Sequence, residues 1–289
     1  MSETLVSAWQ DARKALEAAG VDEPTIDARL LVELGAGVKR IDILTEPRRA
    51  LSATQSAAIA ALVARRAARE PMSHILGRKG FRTIELAVNA AVLTPRADTE
   101  VLAHAALEAI GLDQPARVLD LGVGSGAVLA AILTERPLAS GVGVDVSAEA
   151  LAVAARNIAA LGLAGRTELR AGDWCAGLAE QFDIVAANPP YIPSGDIAAL
   201  APEVARYEPR LALDGGADGL DAYRAIAPHL PALLKPGGLA AFEFGVGQNE
   251  AVRDILAKAG LRPVTLWRDL EGRARVWTAR AEKILGSAG

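Results

Sequence analysis

The chain has 289 residues, 51% of them hydrophobic but only 4% aromatic, and its formal net charge is −4. That length suits one large domain or two, and no apolar run approaches the roughly 18 residues that span a bilayer. The negative balance argues against electrostatic holding of long nucleic acid, and the single cysteine, Cys175, excludes an internal disulfide framework and fits a reducing cytosol.

Taken in chain order, the N-terminus "MSETLVSAWQDARK" has no basic stretch ahead of an apolar block, so no secretory signal is expected and the chain reads as cytoplasmic. Residues 1–75 read as a small helical domain. "TLVSAWQDARKALEAAG" puts Leu5, Trp9, Ala12 and Leu16 on one face and stops at Gly20. "DEPTIDARLLVELGAG" starts with acid and proline and ends at Gly35 or Gly37. "LSATQSAAIAALVARRAARE" is a third helix with basic residues near its C-terminus, closed by Pro71. His74, His104 and His229 are scattered without metal-ligand spacing, so no metal is expected.

Residues 76–93 look extended, with Phe81, Ile84, Leu86 and Val88 as inward candidates, and predict a hairpin that joins the helices to the rest of the chain. From residue 94 onward the chain reads as one α/β domain. "TPRADTEVLAHAALEAIG" predicts a helix with Thr94 as N-cap and Pro95 in its first position. Strands then alternate with helices through "ARVLDLG", "GVGVDV", "TELRAGD", "FDIVAAN" and "GLAAFEFG", with later helices over 219–234 and 248–259. The alternation predicts a doubly wound, largely parallel sheet, and the short "DLEG" turn pairs the last two strands antiparallel.

Within "VLDLGVGSGAV", Gly122, Gly124 and Gly126 lie between the first strand and its helix, where missing side chains let the backbone turn tightly and approach a ligand. Asp145 ends the second strand, where a carboxylate can accept both hydroxyls of a ribose. The pattern points to a nucleoside-containing cofactor of one of two classes. A dinucleotide site is matched loosely by Gly122, Gly124 and Ala127. An S-adenosylmethionine site is matched better, through Asp120 and Gly126. Asp173 and Trp174 end the third strand at the ligand-binding edge, where the acid can accept from an adenine amino group and the indole can contact the purine.

The fourth strand ends abruptly in Asn188-Pro189-Pro190-Tyr191. Prolyl nitrogens cannot donate, so the carbonyls here are free to aim at a ligand. The Asn188 side-chain oxygen and the Pro189 carbonyl make two acceptors on a rigid frame, which suits a planar NH2 group, and Tyr191 can cover the flat face that carries it. Holding both N–H bonds draws electron density to a poorly nucleophilic nitrogen and orients it for in-line attack on a sulfonium methyl. No strong general base is visible.

"VLDLGVGSGAV", "VGVDVS", "GDW" and "NPPYIP" resemble class I S-adenosylmethionine-dependent methyltransferases that act on planar NH2 groups. "PMSHILGRKGFRTIELAVNAAVLTPRADTE", "YEPRLALDGGADGLDAY" and "FEFG" around Glu243 narrow the resemblance to the glutamine methyltransferases of peptide chain release factors (PrmC/HemK), from about residue 71 to the end. The resemblance implies a seven-stranded Rossmann-like methyltransferase sheet over 94–289 and an N-terminal helical domain that helps grip the release factor. It also implies methylation of the side-chain amide of the glutamine in that factor's Gly-Gly-Gln loop. Carried over by position, S-adenosyl-L-methionine would be held by Asp120, Gly122, Gly124, Gly126, Asp145, Asp173 and Trp174, with Asn188 as neighbour. The substrate amide would meet Asn188, Pro189, Pro190 and Tyr191. Arg96 and Glu100, in the "PRADTE" segment, would shape the substrate mouth, although ordinary early-helix charges explain them equally well. This chain departs from the family in Ala97, where proline is usual, and in Val123, where threonine is common.

Two rivals stay within methyl transfer: a glutamine of a ribosomal protein, which shares the core motifs, and the exocyclic amino group of a nucleic-acid base. A flipped adenine also presents a planar NH2, but the −4 charge and the lack of a basic, aromatic-interleaved recognition region predict no stable nucleic-acid binding. A nicotinamide oxidoreductase would need a hydride-acceptor constellation that is not evident. A non-catalytic adaptor would not need an intact N-P-P-Y.

Overall fold

The computed structural model describes residues 3–281. It opens with α1 (Leu5–Ala18), α2 (Pro24–Ala36), α3 (Arg40–Thr45), α4 (Ala53–Ala67) and α5 (Met72–Leu76). Thr4 caps α1, its hydroxyl accepting from the Ser7 N–H while the Ser7 hydroxyl accepts from the Thr4 N–H. Gly20 and Gly37 follow α1 and α2 with φ of +69° and +66°, a region open to glycine at little cost. Gly35 lies inside α2, and a Cβ there would stand 2.7 Å from Ile59 Cγ1, so its absence lets α4 pack close. The third helix does not run to Pro71. It ends at Ala67, the chain turns through Arg69 (φ +71°), and Pro71 becomes the N-cap of α5. That use of proline fits a residue with no N–H to leave unsatisfied.

A hairpin follows, β1 (Arg78–Phe81) paired antiparallel with β2 (Ile84–Ala87). Phe81, Ile84, Leu86 and Val88 are all buried, as their alternation predicts. Asn157 ties the hairpin down: its Oδ1 accepts from the Ala87 N–H at 2.8 Å, and its Nδ2 donates to the carbonyls of Ala87 and Ser125.

The helix expected from Thr94 begins instead at Glu100, as α6 (Glu100–Glu108), with Thr99 in the N-cap position. Residues 94–96 are drawn off by tertiary contacts. The Thr94 N–H donates to the buried Glu208 carboxylate, and Arg96 Nη2 pairs with that carboxylate at 2.5 Å. Then come β3 (Arg117–Leu121), α7 (Ala127–Glu135), β4 (Ser140–Asp145), α8 (Ala148–Ala160), β5 (Thr167–Ala171), β6 (Phe182–Ala187) and α9 (Pro202–Tyr207). The expected 219–234 helix is broken into α10 (Asp221–Ile226), a single 3-10 turn, and α11 (Leu230–Leu233). Pro228 and Pro231 supply no N–H to a continuous ladder. The chain continues through β7 (Leu234–Glu243), α12 (Asn249–Lys258), β8 (Leu261–Arg268) and β9 (Ala274–Ala281).

Seven strands form one sheet in the order β5-β4-β3-β6-β7-β9-β8. The first five are parallel, while β9 runs antiparallel to both β7 and β8. One face packs against α6, α7, α8 and the hairpin, through Leu102, Leu129, Ile132 and Phe81. The other packs against α10, α11 and α12, through Tyr223, Leu230 and Val252. Chain order reverses on either side of β3, and in such sheets ligands bind at the carboxyl ends of the strands flanking that reversal. Among the described residues no helix is long and apolar enough to cross a membrane.

The chain divides into two compact units, one ending at Gly77 but also holding Ala201–Tyr207, the other comprising Arg78–Leu200 and Glu208 onward. The hairpin therefore belongs to the larger unit and α9 to the helical one. Within the helical unit, Arg66 Nε donates to Asp27 at 2.7 Å and its Nη1 to Glu203 at 2.9 Å. Arg69 donates to both oxygens of Glu203, at 2.6 and 2.8 Å, and the Tyr207 hydroxyl donates to the Ala68 carbonyl.

Candidate active site

A cavity of about 530 Å³ opens in the larger unit at the carboxyl ends of β3, β4 and β6, the size range of a small-molecule site. Gly122, Gly124 and Gly126 all have positive φ, of +73°, +53° and +83°. Gly122 and Gly124 line the cavity, whereas Gly126 is the N-cap of α7 and lies against Ala154. A Cβ added to Gly124 would meet only the Gly122 carbonyl, at 3.9 Å, so the space over the loop is open to a ligand. Val123 is buried and fills the room left by Gly143, where a Cβ would come within 2.7 Å of its Cγ2.

Five aspartates line the same cavity, Asp214 and Asp221 together with the three at strand ends, Asp120, Asp145 and Asp173. Asp145 Oδ2 accepts from the Gly124 N–H and its Oδ1 from the Ser147 N–H, each at 2.9 Å, which fixes the plane of the carboxylate and leaves lone pairs for hydroxyl donors. Asp120 is 3% exposed, and burial pushes its carboxyl up to about 8, opposed by the bond from the Leu129 N–H and reinforced by Asp145. A cationic ligand group beside it would favour the ionised form. Trp174 adopts φ +48°, a left-handed conformation that costs a side-chain-bearing residue about 1–2 kcal/mol. Its Cζ3 would stand 3.3 Å from a Gly122 Cβ, so glycine in the loop makes room for the indole as well as for a ligand.

On the β6 side, Asn188 and Pro190 line the cavity, together with Thr99 and Arg96. Asn188 Nδ2 donates to Thr99 Oγ1 at 3.0 Å, and both side chains lie close enough to the carboxylate of Glu243 to favour its charged form. Glu243 ends β7, is 1% exposed, and keeps Oε2 without a partner. Burial pushes its carboxyl up to about 7, against the pull of Thr99 and Arg275.

Pro189 is buried and, like Tyr191, is not among the residues lining the cavity. The Tyr191 ring packs on Gly245, where a Cβ would lie 2.9 Å from its Cδ2, and burial pushes its phenol up to about 12. The Tyr191 carbonyl accepts from Gln248 Nε2 at 2.8 Å. Ile192 exchanges backbone hydrogen bonds with Leu213 and Gly215, at 3.0 and 2.9 Å. The glycines of "DGGADG" follow from this bracing: a Cβ on Gly215 would fall 2.8 Å from the Pro190 carbonyl, and one on Gly219 only 2.3 Å from that of Tyr191.

Arg96 lies at the rim, 41% exposed, held by Glu208, whose carboxyl burial pushes up. Glu100 does not line the cavity; its Oε1 accepts from the Arg82 N–H at the hairpin turn. Thr99, Glu208 and the buried end of Glu243 were not singled out as site residues from the sequence. Their one local signal is a threonine in an N-cap position whose hydroxyl makes no cap.

A doubly wound sheet with a glycine loop after β3, an acid ending β4 and N-P-P-Y after β6 defines a class I methyltransferase. The 16S rRNA N2 G1207 methyltransferase of T. Thermophilus, solved with AdoMet and guanosine, shares the fold with a TM-score of 0.50. It is 18% identical, over 71% of this chain and 50% of that one. Residues 7–77 match the PrmC N-terminal domain family and residues 98–205 the methyltransferase small domain family. The release factor glutamine methyltransferase of Caulobacter vibrioides is 52% identical, over 96% of both chains. That of Rhodospirillum rubrum is 48% identical, over 92% of this chain and 81% of its own. The chain belongs to the release factor glutamine methyltransferase family.

Proposed function

We propose that the chain transfers a methyl group from S-adenosyl-L-methionine to the side-chain amide nitrogen of the glutamine in the Gly-Gly-Gln loop of peptide chain release factors. The observation that carries this reading is the orientation of Asn188, whose amino group is turned to Thr99, donating to its hydroxyl, and whose carbonyl oxygen is left to accept. A planar NH2 offered to that oxygen is the complementary partner.

The cofactor would lie over Gly122 and Gly124, with its ribose hydroxyls on Asp145, its adenine near Asp173 and Trp174, and its ammonium near Asp120. These residues fit a cationic nucleoside: an open backbone cradle, the acceptor carboxylates of Asp145 and Asp173, the buried Asp120 carboxyl whose ionised form a cation would favour, and an aromatic wall. Bound there, it supplies a methyl group on a positively charged sulfur.

The protein's part is binding and orientation. Asn188 Oδ1 takes an N–H bond of the amide, with Pro189 stiffening the backbone behind it, which raises electron density on nitrogen and orients its lone pair in line with the methyl group. Tyr191 stiffens that frame through Gly245 and Gln248. Its raised phenol stays neutral, so it is no base at neutral pH. None is required before transfer, because the amide nitrogen becomes strongly acidic once alkylated. Arg96, paired to Glu208, borders the mouth through which a loop would enter. The helical unit, with Ala201–Tyr207 built into it, is the part we assign to gripping the release factor.

Tritium transfer from labelled S-adenosylmethionine to purified release factor tests the assignment. Label is expected on the factor with its Gly-Gly-Gln glutamine intact and absent when that glutamine is alanine. Label on ribosomal protein or nucleic acid instead would replace the substrate, though not the chemistry.

A further inference from the structure

Three side chains from distant parts of the chain meet behind the acceptor atom: Asn188 after β6, Thr99 ahead of α6 and Glu243 at the end of β7. We propose that Glu243, through the Thr99 hydroxyl and by facing the Asn188 amide itself, is a positioning residue that fixes which way round that amide lies. The inference rests on the reading that Asn188 Oδ1 receives the substrate NH2.

A side-chain amide is nearly symmetrical in shape and opposite in polarity at its two ends. If Asn188 turned over, it would present two donors to a substrate amide that itself offers donors. The contact would then be repulsive, with no change in packing volume. Something must therefore choose the orientation, and shape cannot.

Thr99 alone cannot choose either, because a hydroxyl both donates and accepts. Its position removes one distraction: it stands in the N-cap position of α6, yet its side chain makes no capping bond. An ionised carboxylate, by contrast, only accepts. With Glu243 accepting the Thr99 proton, the Thr99 oxygen is left as an acceptor. Asn188 then meets it with Nδ2, as observed at 3.0 Å, and Oδ1 is the end left for the cavity. Polarity passes along the row from a group that can take only one role.

The burial of Glu243 fits this purpose poorly as a stability device and well as a functional one. A carboxylate that is 1% exposed with one oxygen unpartnered is expensive to keep. Arg275 lies near enough to favour its charge, and Asp98 opposes it. Tyr191 and Tyr223 also face it, the Tyr223 hydroxyl donating to its backbone carbonyl at 2.8 Å. With the Glu243 carboxyl raised to about 7, the orienting charge forms as pH rises through neutrality.

The test is a mutant cycle in the full-length protein, with release factor as acceptor and S-adenosylhomocysteine affinity measured beside it. Glu243→Gln keeps the size but can donate as well as accept, so kcat should fall on the order of 10²-fold, as for a misplaced reacting group, with cofactor affinity and KM little changed. The wild-type rise of kcat through about pH 7 should be absent from the variant. In an Asn188→Ala background, single-turnover rates should show no further loss from Glu243→Gln, because the group it orients is gone. Thr99→Val should behave the same way and serves if Glu243→Gln does not fold. Full activity of Glu243→Gln, or a loss that adds in full to that of Asn188→Ala, overturns the inference. Wild-type turnover by Asn188→Ala alone overturns the reading of the site beneath it.

Discussion

The Gly124 N–H donates to Oδ2 of Asp145 at 2.9 Å, so the second glycine of the loop and the acid ending the neighbouring strand form one rigid piece. Removing the carboxylate should free the loop and delete the acceptors proposed for the ribose together. Asp145→Ala is expected to weaken S-adenosylhomocysteine binding by about 1.5–3 kcal/mol, the range for hydrogen bonds to a charged group. The rate at saturating cofactor should change far less. Calorimetric titration checks the first statement and saturation kinetics the second.

Gly219 offers a cleaner test of how the N-P-P-Y turn is braced. Its φ is +77° and an added Cβ would lie 2.3 Å from the Tyr191 carbonyl, whereas Gly237, at φ +83°, has nothing within 4 Å. Alanine at Gly237 should cost only the left-handed strain, about 1–2 kcal/mol. At Gly219 the clash adds about 1–3 kcal/mol more and displaces the acceptor frame, so activity should fall with stability. Denaturant melts paired with rate measurements on the two variants separate strain from contact.

Stability of the helical unit should depend on acid pH through Glu203. Burial would raise its carboxyl, but Arg69 and Arg66 outweigh that and hold it at about 2, against an ordinary 4.5. A depressed pKa means the contribution is complete above about 4.5 and drains away as pH falls toward 2. Arg66→Ala strands Asp27, which is 8% exposed, and half of the Glu203 pairing. It should cost about 3–5 kcal/mol at neutral pH and flatten the acid limb. Urea melts of both proteins from pH 7 downward would show the two effects.

Much of the cavity lining was legible because its parts are local in sequence, although Gly126, Glu100, Pro189 and Tyr191 fall outside it. Gly122 to Gly126 follow a strand directly, Asp145 ends the next one, and Asn188 to Tyr191 interrupt a third. Each is readable from a strand end and a residue type. What could not be read joins residues far apart. Thr99, Asn188 and Glu243 belong to three elements, and only the sheet order β3-β6-β7 brings the last two together. The Thr94-Pro95 pair is a sound helix-start signal, yet Glu208 holds the Thr94 N–H and the helix waits until Glu100. α3 and α5 have six and five residues, too few to show a helical period. The membership of α9 in the helical unit rests on Glu203 meeting Arg66 and Arg69 more than 130 positions away, a pairing that charge alone does not reveal.

The most direct test of the account is single-turnover methyl transfer to release factor by the wild type and by Asn188→Ala, with S-adenosylhomocysteine affinity measured on both. Loss of a preorganised acceptor should slow transfer by at least about 10²-fold while cofactor affinity stays close to wild type. Near-normal turnover by the variant, with the cofactor bound as before, would mean that Asn188 does not hold the reacting amide.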